Sequence, residues 1–283
     1  MTETPFFFRR DAAQLFGLVH TPGPDVNVRP LAFLFSHPFA EEKLWSHRVM
    51  VSLARELAAR GHVVMRFDYM GAGDSTGSTP DTSLETHLAD LDSAFAYLMK
   101  QHPQIQQVGL LGLRFGATLA ALFAERAAGK YPQLNAAPLV LWEPVLDGAN
   151  YFQELLRSNL TTQLAVHGKV LENREVLQER IRAGGKVNVD GYEIARDLFE
   201  SCARTDLLGI EPKTHTGPAL VLQIAPGAEA KPRDDLSALA GSYRSGTVAR
   251  AAEQPFWREI KPFYGRALQL QQATLQWLEQ ANG

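Results

Sequence analysis

Cysteine is almost absent: Cys202 stands alone in 283 residues, which excludes an internal disulfide and a multi-cysteine metal centre. The sequence has no His-Glu-x-x-His pattern, and His47, His87, His167 and His215 show no spacing that suggests ligation, so no metal and no other cofactor is expected. No uninterrupted apolar stretch reaches the ~18 residues of a membrane span. The start, Met1-Thr2-Glu3-Thr4-Pro5-Phe6, lacks the basic-then-apolar order of a secretion signal, so the expectation is a cytoplasmic protein without a membrane span. An excess of one charge sign is missing too. Twenty-eight basic residues face 31 acidic ones, a net charge of −3, with no run of five like charges, which disfavours a surface that tracks nucleic-acid phosphates. Repeats and low-complexity segments are also absent.

The 45% apolar content is enough to bury the core of one domain carrying an insertion. Short aliphatic or β-branched runs alternate with amphipathic stretches, the pattern of a mostly parallel sheet covered by helices on both faces. Strands are expected at 31–35, 62–67, 108–111, 139–142, 219–224 and, more weakly, 247–251. Helices are expected at 45–60, 83–100 with Thr82 or Ser83 as cap, 117–128 closed by Gly129, and 265–278. The runs at 6–9 and 15–20 suggest an antiparallel hairpin at the sheet edge. Between Trp142 and Ala219 lie about 75 residues, far beyond the roughly 2 to 6 of an ordinary connection. Helical spacing at 151–160, 172–182 and 192–201 within it predicts a small helical cap over the carboxyl edge of the sheet, where open α/β sheets bind ligands. The expected division is therefore a core of residues 1–145 and 213–283 with a cap of residues 146–212.

At Gly112-Leu113-Arg114-Phe115-Gly116 a buried strand turns sharply into a helix, and the two glycines allow close backbone approach. Phe67-Asp68-Tyr69-Met70-Gly71-Ala72-Gly73-Asp74-Ser75 is an Asp-x-x-Gly-x-Gly-x-Ser turn, and Ser36-His37-Pro38-Phe39 ends the first parallel strand. In this order the segments resemble the α/β hydrolases, in which the centre of Gly-x-Ser-x-Gly is the nucleophile. Together with Ala40-Glu41-Glu42-Lys43 and Leu141-Trp142-Glu143-Pro144-Val145, they are similar to the exosortase-associated hydrolase-like proteins of bacterial exopolysaccharide loci, within the serine-aminopeptidase-like group. The resemblance spans roughly residues 6 to 280. It implies the α/β-hydrolase fold with a helical cap inserted after the sixth strand, but fold does not imply function.

Ser-His-Asp chemistry is not expected. A guanidinium stays protonated and offers donors only, so Arg114 cannot be the nucleophile. The histidine that the resemblance places after the last strand is missing: Ala252-Glu253-Gln254-Pro255-Phe256-Trp257 stands there, and no histidine follows His215. Where the resemblance puts the orienting acid, after the seventh strand, stands Glu229, a poor substitute, with Asp234 and Asp235 somewhat later, whereas Glu143 ends the strand beside the elbow. Arg114 and Glu143 are therefore expected to touch across the carboxyl edge, either as a structural pair or around a ligand. His37 is a candidate base, since an unperturbed imidazole titrates near ~6.5. Phe39, Phe115 and Trp142 complete the expected ligand-binding set with Arg114 and Glu143. Ser36 and Ser75 are read as turn-stabilising hydroxyls, Asp68 and Asp74 as caps of backbone amides, and Cys202 as a buried filler. The leading expectation is a non-hydrolytic protein that uses Arg114 to hold a small anionic or acyl-type ligand. The rivals are a hydrolase or acyltransferase with His37 and Glu143 as acid and base, and a scaffold in exopolysaccharide assembly. A homo-oligomer or a protein partner is compatible with each.

Overall fold

The computed structural model describes residues 1–210, 213–227, 229–259 and 265–281. An edge hairpin, β1 (Thr2–Arg10) and β2 (Ala13–Thr21), precedes β3 (Leu31–Ser36), α1 (Glu41–Ala59) and β4 (Val64–Phe67). Then come α2 (Leu84–Gln101), β5 (Gln107–Leu113), α3 (Phe115–Ala127), a single turn α4 (Pro132–Asn135) and β6 (Leu139–Trp142). After a long insertion the chain returns as β9 (Pro218–Ala225), α8 (Asp234–Ser242), β10 (Ser245–Ala252) and α9 (Leu268–Ala281). The sheet runs β1-β2-β4-β3-β5-β6-β9-β10. Only the β1–β2 and β2–β4 pairings are antiparallel; the others are parallel. β3, β4 and β6 are buried along their whole length, because helices cover both faces and leave no solvated side to alternate towards. Leu91 and Phe95 of α2, Leu119 and Phe123 of α3 and Leu236 of α8 pack on one face. Met50, Leu53 and Leu57 of α1 with Leu270 and Leu278 of α9 cover the other.

This is the α/β-hydrolase fold read from the sequence, with strand limits moved by no more than four residues. Ser83 is the cap of α2, accepting from the Thr86 amide at 3.2 Å. The insertion holds α5 (Gly148–His167), α6 (Arg174–Arg182), β7 (Val187–Val189), β8 (Tyr192–Ile194) and α7 (Arg196–Ala203). The expected helix at 192–201 is thus corrected, because its first turn is a strand of a two-stranded hairpin. The signal is present in the sequence: Val187 to Ile194 alternates apolar and polar around Asp190-Gly191, both at positive φ, a pair favoured at hairpin turns. Backbone contacts near both ends, Gly148 N to Thr205 O at 2.9 Å and Leu207 N to Leu146 O at 2.9 Å, tie the insertion's exit to its entry. Residues 211 and 212, the last of the expected cap, lie outside the described residues.

The β5–α3 turn fits only because its glycines lack side chains. A Cβ on Gly116 would lie 2.3 Å from the His37 carbonyl oxygen and 2.4 Å from that of Ser36, and one on Gly112 would meet the Ala117 backbone at 2.5 Å. Both obstacles are main chain, which cannot rotate away. Gly116→Ala is accordingly expected to destabilise the protein by about 3 kcal/mol or more, read as a lower urea midpoint with an unchanged slope.

Candidate functional site

Arg114 adopts φ 53° and ψ −124°, a backbone conformation held at a cost of roughly 1–3 kcal/mol and common at functional turns. Its amide donates to the Trp142 carbonyl at 3.0 Å, which locks the turn to the end of β6. The guanidinium is not free. Nε donates to Glu42 Oε1 at 3.1 Å, Glu154 Oε2 lies 3.9 Å from Nη2, and the Tyr151 hydroxyl donates to Glu42 Oε2 at 3.0 Å. The cation also lies 5.3 Å from the centre of the Trp257 ring and 5.7 Å from that of Tyr151, within the range of cation–π attraction. Burial raises the Glu42 carboxyl above its ordinary range, and Arg114 only partly opposes it. For Arg114 burial works the other way, but Glu42 and its neighbours outweigh it and leave the guanidinium raised and charged. Trp257 follows β10, where the resemblance would put a histidine.

Glu143 does not partner Arg114, which corrects the expected pair. Glu143 Oε2 accepts from the Ile224 amide at 2.7 Å and Oε1 is bonded to Arg233. Its positive φ of 42° and the bond from its amide to the Leu222 carbonyl at 2.8 Å turn the side chain towards β9, away from the elbow. Arg233, which lies just before α8 and also pairs with Asp235 at 2.6 Å, belongs to no motif that would mark it as the partner. Glu42 belongs to the Ala40-Glu41-Glu42-Lys43 segment, which carries no catalytic signature of its own. Its place on the first turn of α1, directly after Ala40 at φ 52°, is what lets it reach the elbow. Trp142 is likewise corrected as a ligand contact. It is fully buried and donates to Thr274 of α9 at 3.0 Å, on the face opposite α3.

Phe39 and Phe115 border a cavity of about 260 Å³ between the elbow, the glycine-rich turn after β4 and Tyr192 of β8. Arg114 does not border it. His37 does; it is 3% exposed and its Nδ1 has no partner among the described residues. Burial first, and Lys43 next, hold its imidazole well below the usual range, so it is neutral. Ser36 Oγ lies 2.6 Å from the Tyr69 hydroxyl and donates to the Gly116 carbonyl at 2.6 Å, so both serve to hold the loop. Ser75 donates to the Asp68 carbonyl at 2.5 Å and accepts from the Phe16 amide, while Asp68 accepts from the Asp74 amide at 3.1 Å and pairs with Lys43 at 2.6 Å. Gly73, at φ 55°, leaves room for that carboxylate, which a Cβ there would overlap at 1.9 Å. Burial pushes the Cys202 thiol up to about 12, leaving it unreactive at neutral pH. No cluster of metal-ligating side chains occurs among the described residues, and none of their helices is long and apolar enough to cross a membrane.

Two outcomes follow from this geometry. Glu42→Gln should destabilise by about 3 kcal/mol, and Arg114→Met with Glu42→Leu should recover much of the loss. A double-mutant cycle should couple Arg114 to Glu42 by more than about 1 kcal/mol and to Glu143 by less than about 0.5. Acid should also weaken the fold. Burial, reinforced by Arg10, pushes the His87 imidazole down to about 4, so the unfolded chain binds this proton more readily than the folded one. Stability is complete above the unfolded value of ~6.5 and falls towards pH 4, by about 3 kcal/mol from His87 alone. Thermal unfolding followed across that range should show a shallower decline in His87→Phe.

The serine aminopeptidase S33 family matches residues 34–203, more than half of the chain. No curated protein matches it. Among solved structures, the ferulic-acid complex of Est1E from Butyrivibrio proteoclasticus superposes with a TM-score of 0.64 at 14% identity over 98% of each chain. Proline iminopeptidase from Mycobacterium smegmatis gives 0.60 at 15% identity over 98% of each. The enol-lactonase from Burkholderia xenovorans LB400 gives 0.61 at 15% identity over 96% of this chain and 99% of its own. At these identities the likeness establishes the fold alone. The family match, the strained elbow and the sheet order agree, and this chain belongs to the serine aminopeptidase S33 family of α/β hydrolases.

Proposed function

We propose that this protein is a non-hydrolytic member of its family that binds a small acyl-type ligand in the cavity beside the elbow, with residues 146–212 acting as a lid. The observation that carries the reading is Arg114 at the nucleophile position with its charge already met by Glu42. A side chain without a removable proton, fixed in an ion pair and flanked by Trp257 and Tyr151, supplies neither a nucleophile nor a base. The same pair weakens the idea that Arg114 waits for an anion, since a ligand carboxylate would have to displace Glu42. The acyl part of the reading keeps its support in the apolar walls of the cavity, Phe39, Phe115 and Leu119. The acid–base rival loses support because Glu143 is committed to the Ile224 amide and Arg233. Resemblance to exosortase-associated proteins supports a setting beside exopolysaccharide assembly, where a binding protein needs no turnover.

Purified protein is expected to hydrolyse short- and long-chain acyl esters and thioesters no faster than Arg114→Ala, and to resist serine-directed organophosphates. Turnover clearly above that control, or stoichiometric labelling of Ser36 or Ser75 detected by mass spectrometry, would overturn the reading.

A further inference from the structure

The polar groups around the 260 Å³ cavity are unequally satisfied. Lys43 is paired with Asp68 at 2.6 Å, and the Tyr69 hydroxyl is bonded to Ser36 at 2.6 Å. Thr82 donates to the Thr79 carbonyl at 2.7 Å, and Thr79 to that of Gly71 at 3.2 Å. Three imidazoles border the cavity: His47 of α1 is exposed to solvent, and two are buried, His37 from the end of β3 and His87 from α2. The buried two are 3% and 4% exposed. Nδ1 of each is enclosed without a partner among the described residues, so a molecule in the cavity can meet these rings only through Nε2, which neither ring uses in a hydrogen bond among the described residues. Two ring nitrogens left open on one small cavity point to a ligand that supplies what the protein does not.

We propose that the occupant of this cavity is an uncharged amphiphile of roughly ten non-hydrogen atoms, with a hydroxyl or primary carboxamide head at His37 and His87 and an aliphatic or aromatic body against Phe39, Phe115 and Leu119. This rests on the reading of the cavity as the acyl-ligand site and narrows it. The size follows from scale: a ~150 Å³ cavity accommodates benzene, so 260 Å³ takes about ten such atoms. The charge follows from the partners. The Nε2 of a neutral imidazole donates or accepts according to the ring's tautomer, so two of them match a hydroxyl or an amide, which can do both. A carboxylate would bring a full charge into an apolar enclosure whose one bordering ammonium is already neutralised by Asp68.

Octanamide and octanoate have the same size and the same chain and differ in the charge of the head, so they separate the two possibilities. Titration calorimetry at pH 7.5 should show octanamide binding at least tenfold more tightly than octanoate. Leu119→Trp should abolish binding by filling the cavity, and His87→Phe should narrow the amide preference. Equal or tighter binding of octanoate, lost in Leu119→Trp, overturns the neutral-head proposal and leaves the acyl-ligand reading standing. No binding of either probe to wild-type protein, or binding untouched by Leu119→Trp, overturns both. The wild-type comparison decides the head group even if His87→Phe fails to fold.

Discussion

The carboxyl edge of this sheet is organised by one ion pair in a place that water scarcely reaches. Arg114 and Glu42, with side chains 11% and 14% exposed, connect the elbow to the first turn of α1. Each also engages α5 of the insertion, through Glu154 and Tyr151. Removing either charge would strand the other in a low-dielectric site, a penalty larger than the pair's own net worth. The pair joins the strained elbow to α1 and, through Tyr151 and Glu154, to the insertion. Phe115 reinforces this by stacking on Tyr151 with the ring planes 5° apart and centres 5.4 Å apart.

Because the pair neutralises itself, the elbow becomes a closed structural joint, and the adjacent cavity is bordered by two buried imidazoles, those of His37 and His87. The two features are neighbours in sequence. Arg114 turns towards α1 and Trp257, while Phe115, one residue later, lines the cavity. A turn with positive φ at its apex sends successive side chains to opposite sides. In the catalytic form of this turn that geometry would expose the nucleophile; here it separates a buried charge from an apolar wall.

The sheet, its edge hairpin and most helices were legible because buried parallel strands are short apolar runs and their helices have a 3.6-residue period. The glycines of the elbow were legible too, since backbone approach leaves residue type no freedom. Asp190-Gly191 was equally legible as a hairpin turn, but three-residue strands are too short for periodicity to separate them from the helix that follows. The partner of Arg114 was not legible. Glu143 is adjacent on the sheet, and sequence reasoning prefers neighbours, whereas Glu42 reaches the elbow from 72 positions away in the chain. Helical spacing from Glu42 to Ser46, Val49, Met50 and Leu53 puts Glu42 rather than Glu41 on the buried face of α1, but that period does not say which distant residue it meets there.

Glu143 shows why position alone is a weak guide to role. It stands where an orienting acid could serve, but its carboxylate closes the β6–β9 junction by accepting the Ile224 amide and meeting Arg233. Glu143 N also donates to Leu222 O, so the residue bonds β9 with both backbone and side chain. An acid used this way joins β6 to β9, as the Arg114–Glu42 pair joins the elbow to α1. The His37 loop is held as well: Ser36 is bonded to Gly116 and Tyr69, and its neighbour His37 borders the cavity. Under the proposed reading, a charged guest would meet groups held by these bonds and not free to reorganise around it, so charge discrimination would be set by the fold before any ligand arrives.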